Sequence, residues 1–336
     1  IQEEVEQIAT AGFGTIELIG ITESFGGTDQ EEIDPKMYGW SSDGWNTAVE
    51  TLMESAEEHN LQVDLTIGPR WPAGVPDLDA DSESASQKLT YNEVTEEVEA
   101  ENTEYTMPKA PAYESDAVTK RDFVALVAAK VKDQTSDTVV SQGFSGESYS
   151  VVTETAIDQD SLTVIDEENI DLENGTFSFT APEAGKWVFY AYWAVGTGQT
   201  SGDTSPTAYV INHFSKSGTE AMLQFWEDNM LTDDLLSYYE KNGGNLFEDS
   251  LELDSADLLW SSDMAQYFKD NKGYDIVKYL PLLMGELGTG SGDTVEAAEN
   301  IGEGENLIPK GTKYMTQNTA TIDDTGVQEN ICKEKE

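Results

Sequence analysis

Apolar positions along the first part of the chain recur at helical and strand spacing in turn. Val5, Ile8 and Ala9 form a helical stripe that Gly12 and Gly14 stop. The run Thr15 to Ile21 then reads as a buried strand. Trp45 to Asn60 reads as a helix with Ala48, Val49, Leu52, Met53 and Ala56 on one face. Leu61 to Gly68 reads as the next strand. Helix, strand, helix, strand with short links is the pattern of a parallel sheet or barrel.

From about Ser84 to Gly198 the period changes to two. Asp122–Val127, Ser161–Ile165, Thr176–Phe179 and Lys186–Trp193 read as strands, with Pro182 to Gly185 as the turn between the last two. This predicts an antiparallel sandwich-like module. Past a Gly/Ser/Thr-rich link the α/β pattern returns. Tyr209–His213 reads as a short strand, and Ser217 to Asn229 as a helix that Ser217 and Glu220 start as a capping box. A strand ends at Phe247, and a helix follows over Asp263 to Lys272. Beyond Gly285 the periodicity fades, so Gly288–Gly292 reads as linker and 286–336 as a low-complexity, disordered tail. The fold expectation is α/β: an incomplete (β/α) TIM-like barrel from 1–83 and 199–285, interrupted by a β-sandwich-like module over 84–198.

Charge narrows the choice of partners. Eighteen Lys and Arg stand against 66 Asp and Glu, a net charge of −48, and arginine occurs only at Arg70 and Arg121. Such a surface repels phosphate backbones and anionic membranes, which argues against nucleic acid. It suits a salty, acidic or calcium-containing medium, or simply a secreted protein kept soluble. No run of 18 apolar residues exists to span a membrane. Cys332 is the one cysteine, so no intramolecular disulfide forms. The sequon Asn174-Gly175-Thr176 agrees with an extracellular location, although this chain itself contains no signal peptide.

Candidate chemistry concentrates where an apolar run ends in acids. After Leu246 and Phe247 come Asp249 and Glu252, as carboxylates stand at the C-terminal mouth of a barrel strand. Paired carboxylates cleave glycosides, one protonating the leaving oxygen and one acting on water or carbon. Glu252 is the candidate acid and Asp249 its neighbour. The alternative is a pair of solvated surface acids. Trp71 and Arg70 follow another strand end, where an indole face stacks on sugar C–H groups and a guanidinium donates to hydroxyls. Glu17, His213 and Asn212 are further candidates for substrate contact. Trp40, with Tyr38 and Trp45, either lines a sugar cleft or forms a local core. Calcium is the candidate cofactor, with Asp77, Asp79 and Asp81 as oxygen donors, although the segment lacks the glycine and distal glutamate of an EF-hand.

Four blocks carry a resemblance to a known family. They are Ala11–Glu17; Val63–Pro76 with its Trp71-Pro72 core; Ala184-Gly185-Lys186-Trp187; and Asp249-Ser250-Leu251-Glu252 with Gly273-Tyr274-Asp275 and Tyr279-Leu280-Pro281. In order and spacing they resemble the family 106 glycoside hydrolases, the α-L-rhamnosidases and their relatives. The resemblance implies a β/α barrel interrupted by a β-rich insertion, and a rhamnose-containing glycan or glycoside as substrate. It also places the family's first barrel strand before Ile1 and the strand bringing a second carboxylate beyond about residue 285. The chain therefore reads as a partial or divergent glycoside hydrolase, with a non-catalytic carbohydrate-binding or degenerate fragment as the alternative.

Overall fold

The computed structural model describes residues 1–20, 35–143, 146–202, 204–253, 258–287 and 294–322. The order begins α1 (Gln2–Thr10), β1 (Thr15–Leu18), α2 (Pro35–Tyr38), α3 (Asp43–Glu58), β2 (Gln62–Thr66) and β3 (Gly74–Pro76). A run of strands follows: β4 (Gln87–Val98), β5 (Thr103–Thr106), β6 (Arg121–Gly143), β7 (Gly146–Val164), β8 (Ile170–Asp171), β9 (Thr176–Phe179) and β10 (Gly185–Gly196). Then come β11 (Ala208–Val210), α4 (Lys216–Asn229), α5 (Asp233–Asn242), β12 (Gly243–Phe247), β13 (Leu258–Trp260), α6 (Met264–Lys272), α7 (Leu280–Leu287), β14 (Thr294–Glu296) and β15 (Lys313–Ile322). This is a mixed α/β chain with several sheets. It divides into two compact units, one of Ile1–Gln87, Glu114–Lys120 and Gly196–Ser255, the other of Lys88–Tyr113, Arg121–Val195 and Ala256–Glu336.

The first unit is built on three parallel strands in the order β1-β2-β12. Ile16 pairs with Val63 and Leu18 with Leu65, so these apolar side chains share one face. That face packs on helices: Val49, Met53 and Ala56 of α3, Met222 and Trp226 of α4 and Leu235 of α5 join Val63 and Leu65 in one core. The helices start where capping chemistry dictates. Ser42 accepts from Trp45 N–H ahead of α3, and Thr232 accepts from Leu235 N–H ahead of α5. At the other end of the unit's first helix, Gly12 takes φ +89° after α1, a left-handed turn that glycine adopts without strain. The opposite sheet face carries Thr15, Glu17 and Gln62, all exposed. Among the described residues this parallel sheet has three strands and closes no barrel. The expected strand extended to Ile21, which lies outside the described residues.

In the second unit, β13-β4-β10-β6-β7-β15-β14 form a seven-stranded sheet, and β5-β9-β8 a three-stranded one. Phe177 and Phe179 of the small sheet pack on Trp187 and Phe189 of the large one, with Phe177 and Phe189 ring centres 4.7 Å apart. Residues 182–185 therefore carry the chain from one sheet to another and do not turn a hairpin between paired neighbours. The reason is burial: stacking face to face hides all four rings. On its other face the large sheet packs Leu89, Tyr91, Tyr190 and Tyr192 with Val277, Leu280, Leu282 and Met284.

Two expected boundaries move. Residues 258–285 join the second unit because their apolar side chains complete its core, so they are not barrel elements of the first. Within the expected tail, 294–322 is ordered as β14 and β15, with β15 parallel to β7 from Met315↔Ser150 to Ile322↔Ile157. The Gly288–Gly292 linker, Cys332 and the rest of 323–336 lie outside the described residues.

Candidate active site

Strand direction gathers the candidates. β2 and β12 run parallel, with Leu246 opposite Leu65 and Phe247 opposite Thr66, so their C-terminal ends leave the sheet side by side. From β2 the chain continues through Gly68, Arg70 and Trp71; from β12 it continues through Glu248, Asp249 and Glu252. A second connection closes the group. β3 pairs antiparallel with β11, Val210 opposite Gly74, and Ile211 N–H donates to the Ala73 carbonyl at 3.1 Å. That ribbon sets His213 beside Ala73.

Glu252 is exposed, and its carboxylate is held at one oxygen. The Trp71 indole N–H donates to Oε1 at 3.1 Å and the Ser250 hydroxyl at 3.0 Å, while Gln199 Nε2 donates to the Glu252 carbonyl at 2.7 Å. Two of the residues singled out in the sequence, Trp71 and Glu252, thus touch across 181 positions. Asp249, three residues before Glu252, is exposed. Arg70 is half-buried between Pro69 and Trp71.

Glu248 is a residue that the sequence pattern does not single out. Its Oε1 accepts from the Ala73 N–H at 2.5 Å and faces His213 Nε2 at 3.0 Å. The other ring nitrogen, Nδ1, lies 2.9 Å from the Ile211 carbonyl. Both ring nitrogens thus face oxygen atoms, which fixes the orientation of the ring. Burial pushes the Glu248 carboxyl up, but the hydrogen bonds from His213 and Ala73 and the charge of the imidazole hold it below the usual carboxylate range. Glu248 is therefore a carboxylate at neutral pH. His213 is nearly buried and turned towards Glu248.

The other candidates stand apart from this group. Asn212 is buried, and its side-chain oxygen accepts from Phe214 N–H, shaping the turn into α4. Trp40 is 5% exposed, stacked on Phe225 at 5.3 Å and edge-on to Trp226, so of the two readings of that cluster it takes the core one. Glu17 projects from the open face of β1, opposite Asp64 in register. In the acidic loop Asp81 accepts from Thr119 N–H, the Thr119 hydroxyl and Lys120 N–H, and Asp79 accepts from Asp81 N–H. Burial raises the Asp81 carboxyl, but these donors bring it below its ordinary range. It clamps 114–120 onto the first unit. Among the described residues no group of three or more His, Cys, Asp and Glu is arranged to hold a metal ion.

The sequence model of glycoside hydrolase family 106, described as alpha-L-rhamnosidase, matches residues 77–296, more than half of the chain. The chain belongs to this family. His213, Glu248, Asp249 and Glu252 of the family 106 chain fall inside the matched stretch, and Glu17, Trp40, Arg70 and Trp71 precede it. No curated protein matches it. Among solved structures it is similar to a rhamnosidase from Novosphingobium sp. PP1Y, with 12% identity and a TM-score of 0.52, over 84% of this chain and 40% of that one. At that identity the likeness is one of fold. The chain spans 40% of the length of that rhamnosidase.

Proposed function

We propose that this family 106 chain carries the acid side of a glycoside-cleaving site, with a glycan or glycoside containing α-L-rhamnose as its substrate. On this reading the sheet β1-β2-β12 is part of a β/α barrel, and the packed sheets of the second unit are its sandwich-like insertion. The supporting observation is the contact between Glu252, just past β12, and Trp71, just past β2. It sets a carboxyl and an aromatic face at the strand ends where barrel enzymes bind substrate.

The chemistry needs one carboxyl to give a proton to the leaving oxygen and a second to activate water or to attack the sugar. Trp71 and Ser250 both donate to Oε1 of Glu252, which leaves Oε2 to carry the proton. The Trp71 ring offers an apolar surface to the sugar, and Arg70 supplies fixed donors to its hydroxyls. Asp249 stands next to the acid and orients it. The second carboxylate is not assigned. The acidic surface and the sequon at Asn174, in an exposed turn, support an extracellular setting.

A second reading, a non-catalytic carbohydrate-binding protein, is favoured by the open face of the three-stranded sheet. Hydrolysis of an aryl α-L-rhamnoside decides between the two. On the first reading the full-length protein, with both carboxyl groups, releases the phenol, and Glu252→Gln lowers kcat about 10²- to 10⁴-fold, the usual contribution of a general acid. Binding of L-rhamnose by calorimetry without any turnover selects the second reading. Neither binding nor turnover removes both.

A further inference from the structure

The bonds around Ala73 suggest how the candidate acid is held. The segment 68–73 leaves β2 and folds back sharply: a Cβ added at Gly68 would lie 3.0 Å from the Ala73 Cα. Three bonds fix its far end. The buried Ser201 hydroxyl donates to the Pro72 carbonyl at 2.6 Å, Ile211 N–H donates to the Ala73 carbonyl, and Glu248 accepts from Ala73 N–H. Of these anchors only Glu248 bears a charge. His213 braces it from the other side, since its own Nδ1 is tied to Ile211, whose N–H grips Ala73. His213, Glu248, Ile211 and Ala73 form a closed ring of four hydrogen bonds. Two residues before Ala73 stands Trp71, whose indole N–H grips Glu252.

We propose that the His213–Glu248 pair is a positioning device for Glu252: it anchors the Trp71–Ala73 segment and so fixes the indole N–H against the Glu252 carboxylate. That Glu252 is the acid rests on the function proposed above; that its orientation depends on Glu248 does not. In this scheme neither His213 nor Glu248 touches substrate. His213 is held by two acceptors and keeps Glu248 charged and in place. A substrate-binding role for His213 would require its ring to leave Glu248.

The Trp71 indole N–H reports on this directly, without turnover. In ¹H–¹⁵N spectra of the full chain its cross-peak is the one lost in Trp71→Phe. Glu248→Ala should shift that peak and speed its exchange with water about tenfold, as loss of a hydrogen bond of ordinary strength implies. Glu252→Ala, which removes the acceptor itself, should shift it in the same direction. Glu248→Gln keeps an oxygen for the Ala73 N–H and should restore most of the wild-type behaviour. His213→Ala should fall between the two. A wild-type indole peak and exchange rate in both Glu248→Ala and His213→Ala would overturn the proposal, even if both variants melted lower. Should Glu248→Ala fail to fold, His213→Ala gives the same decision. An indole that follows Glu248 in a chain that neither binds nor cleaves the rhamnoside would uphold the positioning device and remove the proposed function.

Discussion

At the scale of single residues an electrostatic cost lies away from the candidate site, at Glu93. Its Oε2 is sealed from solvent and makes no hydrogen bond among the described residues, although the residue as a whole is half-buried. Around it are Tyr91, whose hydroxyl donates to the Asn318 carbonyl, and Tyr190 and Tyr192, whose hydroxyls are buried without partners among the described residues. Burial pushes the Glu93 carboxyl up to about 7. A carboxyl whose folded value exceeds its unfolded value binds its proton more tightly when folded. Its contribution is fully present below the unfolded value of about 4.3 and is lost as pH rises through 7. At about 1.4 kcal/mol for each tenfold change in proton affinity, the loss across that window is at most about 4 kcal/mol. Glu93→Gln should therefore melt higher than wild type at pH 8 and show a flatter dependence of Tm between pH 4.5 and 7. Parallel melting curves for the two proteins across that range would refute the assignment. Glu93 and Glu248 were equally illegible in the sequence. Each looks like one more acid among 66, and what distinguishes them, two buried tyrosines on the neighbouring strand β10 or a histidine 35 positions away, exists only once the chain has folded. Trp71 and Glu252 were legible because each follows a run whose apolar pattern marks a strand end.

At the scale of elements, α4 shows how tertiary contacts move a boundary that local chemistry sets elsewhere. Ser217 and Glu220 have the spacing of a capping box, yet Ser215 is the N-cap and accepts from Gly218 N–H at 3.0 Å. Ser215 is fixed by its own N–H, which donates to the Asn212 carbonyl, and Gly218 lies so close that an added Cβ would sit 2.3 Å from that same oxygen. The turn at Asn212 thus chooses the cap, Glu220 is left to pair with Lys216, and Ser217 reaches back to the Glu83 carbonyl. Ser215→Ala should cost about 1 kcal/mol in urea unfolding, the usual loss for a cap, and Ser217→Ala clearly less. The reverse order would restore the capping box. β15 was missed for a different reason. Its run Lys313–Ile322 is mostly polar and Ala320 is the one buried side chain among those described in it, so no apolar alternation marks it, and its backbone pairing with β7 makes the strand. By contrast, α3, β2 and β10 carry strong apolar periodicity and form near the expected positions, while β6 starts where expected but runs on past Val127 to Gly143.

At the scale of the whole molecule the periodicity separates an α/β part from a β-rich part, whereas the cores of the two compact units gather residues by hydrophobic burial and not by chain order. Val277, Leu280 and Met284 have helical spacing that suits a barrel helix equally well; only the core that they complete with Leu282 assigns them to the second unit. Net charge is the property of the whole chain that packing leaves unresolved. With −48 over 336 residues the folded state brings like charges closer together than the unfolded chain does, so screening should favour folding. The Debye length falls from about 30 Å at 0.01 M salt to about 10 Å at 0.1 M and 3 Å at 1 M. Since most surface charges lie farther apart than a few ångströms, the greater part of the gain should come below roughly 0.3 M. Tm should therefore climb steeply at low NaCl and level off above that range. Sucrose, which strengthens burial by exclusion and screens nothing, should give no such steep initial rise. A Tm that is flat in NaCl, or that rises with sucrose along the same curve, would mean that the acidic surface is spread widely enough for solvent to absorb the repulsion.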